Sequence, residues 1–242
     1  MSCRSMRWAA EAGKRRAPKP ALPMPLCMRY MRLGDIPAVV AIDRLSFEPA
    51  WNYASYRFEL IESQVSHMVV LERQAAPRES ARTSWLEKLR GRLNGASASC
   101  AVGDILGYGC IWRIADEAHI STIATHPSRR GNGYGEILLA GMVGKALQLG
   151  AGYIVLEVRV SNQVAQNLYS KYGFSRYGRR RRYYTNNNED AWDMRLRLDG
   201  VARRRFAQLS ERMQARYELA DDFSSARHPR RVRMPRDHLA VG

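Results

Sequence analysis

Cysteine is scarce and scattered in this chain: Cys3, Cys27, Cys100 and Cys110 are the four, and no two form a C-x-x-C pair. That spacing supplies neither a zinc ligand set nor a disulfide framework, and it fits a reducing, cytosolic setting. No metal is called for. Long apolar runs are missing too. Nothing approaches the roughly 20 residues that cross a bilayer, and the N-terminal segment lacks the continuous apolar stretch of a secretory signal, so no membrane partner is expected. Acidic residues are under-represented: 23 Asp and Glu stand against 39 Lys and Arg, a formal charge of +16. Such an excess points to acidic partners (nucleic acid, ribonucleoprotein, an anionic membrane surface or a phosphate-bearing cofactor) without choosing among them. What is present is ordinary: 45% of the 242 residues are hydrophobic, enough for one domain with a core and appendages.

Along the chain the character changes twice. Residues 1–27 carry six basic residues, one acid and four prolines with no hydrophobic periodicity, and read as a disordered basic extension. A domain spans 28–199. It opens with a strand from Met28 to Leu33, then a helix from Gly34 to Ser46 with Asp35 as cap, a second helix from Tyr53 to Glu62, and a strand from His67 to Glu72. Residues 74–103, rich in Ala, Ser, Gly and Arg, read as a loop insertion with a short helix near Trp85 to Leu93. Paired strands follow at Asp104 to Ile114 and His119 to Thr125. A helix then runs to Gly150 with the apolar stripe Leu138, Met142, Ala146 and Leu149. Tyr153 to Val160 is a buried strand by composition. The next helix, Asn162 to Tyr172, has Ser161 as candidate cap and Gly173 as stop. The last strand alternates cleanly, Trp192, Met194, Leu196 and Leu198 on one face. Residues 200–242 read as a basic tail, helical from Val201 to Leu219.

Arg130-Gly131-Asn132-Gly133-Tyr134-Gly135 links a strand to a helix. Alternating glycines let successive amides point into one concavity, and the helix start adds partial positive charge, so a pyrophosphate is the natural guest. The dinucleotide fingerprint fails because Glu136 stands where its third glycine belongs, and the Walker pattern lacks its Lys-Ser/Thr end. Taken alone, the segment reads equally well as a flexible turn.

Glu157 lies inside the apolar strand. A carboxylate there needs a partner. Arg159, two residues on and on the same face, offers an ion pair; the other reading is a general base whose pKa is raised by apolar surroundings. Tyr169 falls on the stripe Ala165, Leu168, Tyr169, Tyr172, which reads as core packing, although a phenol there can also protonate a leaving thiolate. Asn162 reads as a helix cap.

Ile123 to Leu139 resembles the acetyl-CoA-binding segment of GNAT acetyltransferases, whose core is Gln/Arg-x-x-Gly-x-Gly/Ala; Arg130, Gly133 and Gly135 hold its fixed positions. Leu156 to Asn162, then Ala165, Leu168-Tyr169 and Tyr172-Gly173-Phe174, is similar to the bacterial ribosomal-protein-alanine N-acetyltransferases and to N-terminal acetyltransferase catalytic subunits. Arg182-Tyr183-Tyr184, Asp190-Ala191 and Met194 match them as well. The resemblance covers Met28 to Leu198. It implies a mixed α/β fold, a mostly antiparallel twisted sheet of about seven strands flanked by helices and splayed where acetyl-CoA binds. It implies amides from Gly131 to Glu136 on the pyrophosphate, Ile123, Ala124 and Thr125 along the pantetheine with one amide for the oxyanion, and Asn162 as a further coenzyme contact. Glu157 is the implied proton acceptor and Tyr169 the donor, with Tyr183 and Tyr184 closing over the acceptor. The activity implied is transfer of acetyl to a protein N-terminus, an alanine of a ribosomal protein. Lysine side chains or small amines are the nearer alternative, and a non-catalytic ribosome- or RNA-binding protein, using Arg176 to Arg182 and the C-terminal arginines, is the other. The family's Pro-Trp pair after the first helix is broken here, since Ala50 separates Pro49 from Trp51.

Overall fold

The computed structural model describes residues 25–74 and 104–228. The expected insertion, from residue 75 on, and the short helix expected within it therefore lie outside the described residues, as do residues 1–24 and 229–242.

The order is β1 (Leu26–Tyr30), α1 (Ile36–Arg44), α2 (Tyr53–Ile61), β2 (Ser66–Arg73), β3 (Asp104–Ile114), β4 (Glu117–Thr125), α3 (Tyr134–Gln148), β5 (Tyr153–Arg159), α4 (Gln163–Tyr172), β6 (Ser175–Tyr184), β7 (Glu189–Arg197), α5 (Gly200–Arg216) and β8 (Leu219–Asp222). The strands form one mixed sheet in the order β6-β7-β5-β4-β3-β2-β1-β8. Its pairs are antiparallel except β4 with β5 and β1 with β8.

Two cores form on the two faces. One joins α3 to the inward residues of β5 and β7, with Leu138, Met142, Ile154, Leu156, Met194 and Leu196 all buried. The other sets Ile36, Val39 and Ile42 of α1 and Tyr56 of α2 against Met68, Val70 and Tyr108. Each such large apolar side chain removed from water contributes about 1.5–3 kcal/mol. A buried arginine ties the first strand to its neighbours: Arg29 reaches Asp35 at 2.7 Å and Glu72 at 2.6 Å.

Local departures have physical reasons. Asp35 precedes α1, but its carboxylate is engaged by Arg29 and makes no side-chain cap bond. Asn162, not Ser161, caps α4, because its Oδ1 accepts from the Ala165 amide at 3.1 Å. The region expected as a tail is built into the domain through residue 228. Leu209 and Met213 of α5 are buried one helical turn apart, β8 adds the eighth strand beside β1, and Phe223 is fully enclosed. No helix among the described residues is long and apolar enough to cross a membrane.

Candidate active site

Strands β4 and β5 pair only from Glu117 to His119 against Tyr153 to Val155 and then part. A bulge bends β4 just past that point: the pairing with β3 steps from Ile120 to Thr122, leaving Ser121 over. The divergence opens two cavities that share Ser46, Phe47, Ile123, Asn162 and Tyr169 as walls. One, about 680 Å³, runs along Ile123, Ala124 and Thr125 to the glycine turn. The other, about 420 Å³, is bordered by Trp51, Glu157, Arg159, Tyr183 and Tyr184. Tyr169 stands at their junction, and Glu157 only on the smaller side.

At the turn, Gly131 and Gly133 both have φ of +82°, where an L side chain is strained. Gly133 starts α3. Among the described residues nothing accepts from the amides of Gly131, Asn132, Gly133, Tyr134 and Gly135, so five unsatisfied donors cluster at one helix start. Arg129 and Arg130 flank them on the cavity wall. This donor set fits the pyrophosphate of a coenzyme. Gly131, Gly133, Tyr134, Gly135, Glu136 and Arg130 all border the cavity, whereas Asn132 does not. Its side chain folds back, donating to the carbonyls of Arg129 at 2.9 Å and Arg130 at 3.3 Å. Glu136 pairs with Lys171 at 2.6 Å.

Glu157 is not paired with Arg159. Its Oε2 lies 2.8 Å from Nε2 of His119 and its Oε1 2.9 Å from Arg180, which also donates to Asp193 at 2.7 Å. Arg159 turns instead to Glu189 at 2.9 Å and sits over the Tyr184 ring. The expected rise in the Glu157 pKa is absent. Burial pushes it up, but the hydrogen bond and charge of His119 and the charge of Arg180 outweigh that and hold it below the usual carboxylate value. Tyr169 behaves oppositely: burial, helped by Tyr184, pushes its phenol well above 10, so it stays protonated. Tyr183 and Tyr184 meet edge to face at 5.2 Å beside the smaller cavity. His119, Arg180 and the segment from Ser46 to Trp51 belong to the site as well, although the sequence marks Arg180 only as one of an arginine run and Pro49 and Trp51 only through a broken family pair, and marks His119 with no motif. The segment is held from below by Asp43, which accepts from the Trp51 amide at 2.5 Å and from the hydroxyls of Tyr56 and Tyr108. His119 alternates in β4 with buried Ala118 and Ile120, a visible hint that it faces the other way.

The sequence profile of the acetyltransferase (GNAT) family matches residues 56–174. A Bacillus subtilis (strain 168) protein named as a candidate ribosomal protein bS18-alanine N-acetyltransferase is 35% identical over 164 residues, covering 68% of this chain and 90% of that protein. The crystal structure of the ribosomal-protein-S18-alanine N-acetyltransferase from Escherichia coli shares the fold, with a TM-score of 0.53 at 22% identity over 72% of this chain and 94% of that one. So does a chain of the NatC complex bound to Gag peptide and CoA, with a TM-score of 0.52 at 18% identity over 73% of this chain and all of that one. Profile, relative and fold agree: this chain is an acyltransferase belonging to the GNAT family, whose members use acetyl-CoA.

Proposed function

We propose that the protein transfers acetyl from acetyl-CoA to the N-terminal amine of a protein, and that its acceptor is the N-terminal alanine of a ribosomal protein. The observation that carries this is the junction: a protonated phenol borders both cavities while a carboxylate borders only the smaller. The relative's name, ribosomal protein bS18-alanine N-acetyltransferase, supports the choice of acceptor.

The coenzyme supplies the acetyl group as a thioester. Amides from Gly131 to Gly135 hold its pyrophosphate (the Glu136 amide, expected among them, instead donates to the Gly133 carbonyl at 3.0 Å), while Ile123, Ala124, Thr125 and Asn162 line its path. The acceptor enters between Trp51 and Tyr183-Tyr184. A peptide α-amine has a pKa near ~8, so a usable fraction is neutral at physiological pH. As its nitrogen forms the new bond it becomes acidic, and even a carboxylate of depressed pKa then suffices to take its proton at Glu157. His119 and Arg180 fix that carboxylate in place. Tyr169 Oη holds the proton needed on the coenzyme side of the junction. The unpaired edge of β4 beyond His119 offers amides to a developing oxyanion.

Mass spectrometry of ribosomal-protein N-termini from cells with and without the gene tests the acceptor. Acetylation of an alanine terminus should vanish in its absence; an unchanged set of termini defeats the assignment. Thiol release with alanine-led peptides, lysine peptides and polyamines separates the acceptor classes. On α5, Arg203, Arg204, Arg205, Arg212 and Arg216 make no ion pair among the described residues, which supports contact with an acidic ribosomal partner. RNA binding that weakens steeply with salt is the expected sign.

A further inference from the structure

Helix α5 and strand β8 lie beyond the residues matched to the family, yet Tyr217, between them, returns to the glycine turn. Tyr217 leaves α5 in an extended conformation, with φ of −126° and ψ of 136°. Its backbone is held on both sides: its amide donates to the Met213 carbonyl at 3.0 Å, and the next carbonyl, of Glu218, accepts from Leu26 at 2.8 Å. The side chain reaches back over the turn, where its hydroxyl donates to the Asn132 carbonyl at 2.8 Å. The approach is close. A Cβ on Gly133 would run into that hydroxyl oxygen.

In a trans peptide the carbonyl and the following N–H point in opposite directions. Holding the Asn132 carbonyl toward Tyr217 therefore aims the Gly133 amide away from it, toward the cavity that Gly133 lines. Gly131 and Gly133 flank Asn132, so little else in the backbone resists rotation of that peptide plane. Asn132 steadies the turn from within by its bonds to two preceding carbonyls. Tyr217 anchors it from without, and the Arg216 guanidinium over its ring, 5.3 Å from the centroid, brings a cation beside the turn.

We infer that Tyr217 is a positioning residue for the coenzyme: the C-terminal extension presets the amide cradle before acetyl-CoA arrives. The inference rests on the reading of the larger cavity as the acetyl-CoA site. In the full chain, Tyr217→Phe removes one hydroxyl and keeps the ring. Calorimetry with free coenzyme A should show a Kd about fivefold higher, the size of one hydrogen bond. The KM for acetyl-CoA should rise by the same factor, while kcat, the KM for the peptide acceptor and the Tm stay at wild-type values. An unchanged Kd overturns the inference. So does a Kd rise accompanied by equal losses in kcat, acceptor KM and Tm, which would mark general damage. If the wild-type chain binds no coenzyme A, the reading of the cavity falls first and the inference with it.

Discussion

Lys145 carries a charge where the fold has no room for one, and its removal should stabilise the protein in a pH-dependent way. The residue is fully buried on α3. Its Nζ donates to Gln148 at 2.7 Å and to the Ala226 carbonyl at 2.6 Å, and lies about 5 Å from the ring centroids of Tyr30 and Phe223. Burial pushes its pKa down from 10.5 to about 8, against a smaller opposing pull from Asp221. The folded protein thus binds this proton less tightly than the unfolded chain does. Below about 8 the full cost of burying the charge is present; between about 8 and 10.5 it is progressively relieved, and stability rises with pH. A depression of this size corresponds to about 3 kcal/mol. In Lys145→Met there is no charge to bury, and every other titration is shared. Urea unfolding of both chains near pH 7 and near pH 10.5 should show the difference between them moving toward the wild type by about 3 kcal/mol. A difference constant across that window refutes the argument.

The chemistry makes further demands. Glu157→Gln preserves shape and removes the proton acceptor, so kcat should fall by roughly 10²–10⁴ in a thiol-release assay; Tyr169→Phe should cost roughly 10² with the KM for acetyl-CoA little changed. Wild-type turnover in both would remove these roles. Because the Glu157 pKa is held down, the stability from its pairing with His119 and Arg180 is present above the unfolded value and lost as pH falls through the folded one. A carboxyl NMR titration should place its midpoint below 4.5 and higher in His119→Asn; a wild-type midpoint above 4.5 contradicts the geometry. Gly133→Ala combines a left-handed φ with a clash against Tyr217, and calorimetry should show coenzyme A binding weakened by more than about tenfold.

The parts of the site that are legible in the sequence are those whose signal is local. Three glycines in alternation, an apolar β-branched strand with one carboxylate, and a helix closed by Gly173 can each be read within a short window of the chain. The partners of Glu157 cannot. His119 reaches it only because β4 and β5 run side by side, and Arg180 because β6 pairs with β7, which sets it opposite Ala191, two residues from Asp193. Arg159 does share a face with Glu157, as residues two apart in a strand must. They are nevertheless about 7 Å apart, farther than neighbours on adjacent strands, and Glu189 on β7 holds the guanidinium. The apolar neighbours of Glu157 are visible in the sequence too, but the His119 and Arg180 side chains that reverse their effect on its pKa are not. At the C-terminus, six arginines across 197–216 mask the apolar pair Leu209 and Met213, and Leu219 to Asp222 is too short and polar to announce a strand.

The arginine run in β6 has a consequence for the solution behaviour of the protein. Among the described residues β6 ends the sheet, so one row of its backbone donors and acceptors has no neighbouring strand there. Such a row is a template on which another copy could add itself. Two molecules docking there would press Arg179 to Arg182 of one against the same four of the other, and Arg182, at φ of +51°, already breaks the regular ladder. The repulsion between those two rows of guanidinium groups opposes the joining of two sheets through this edge.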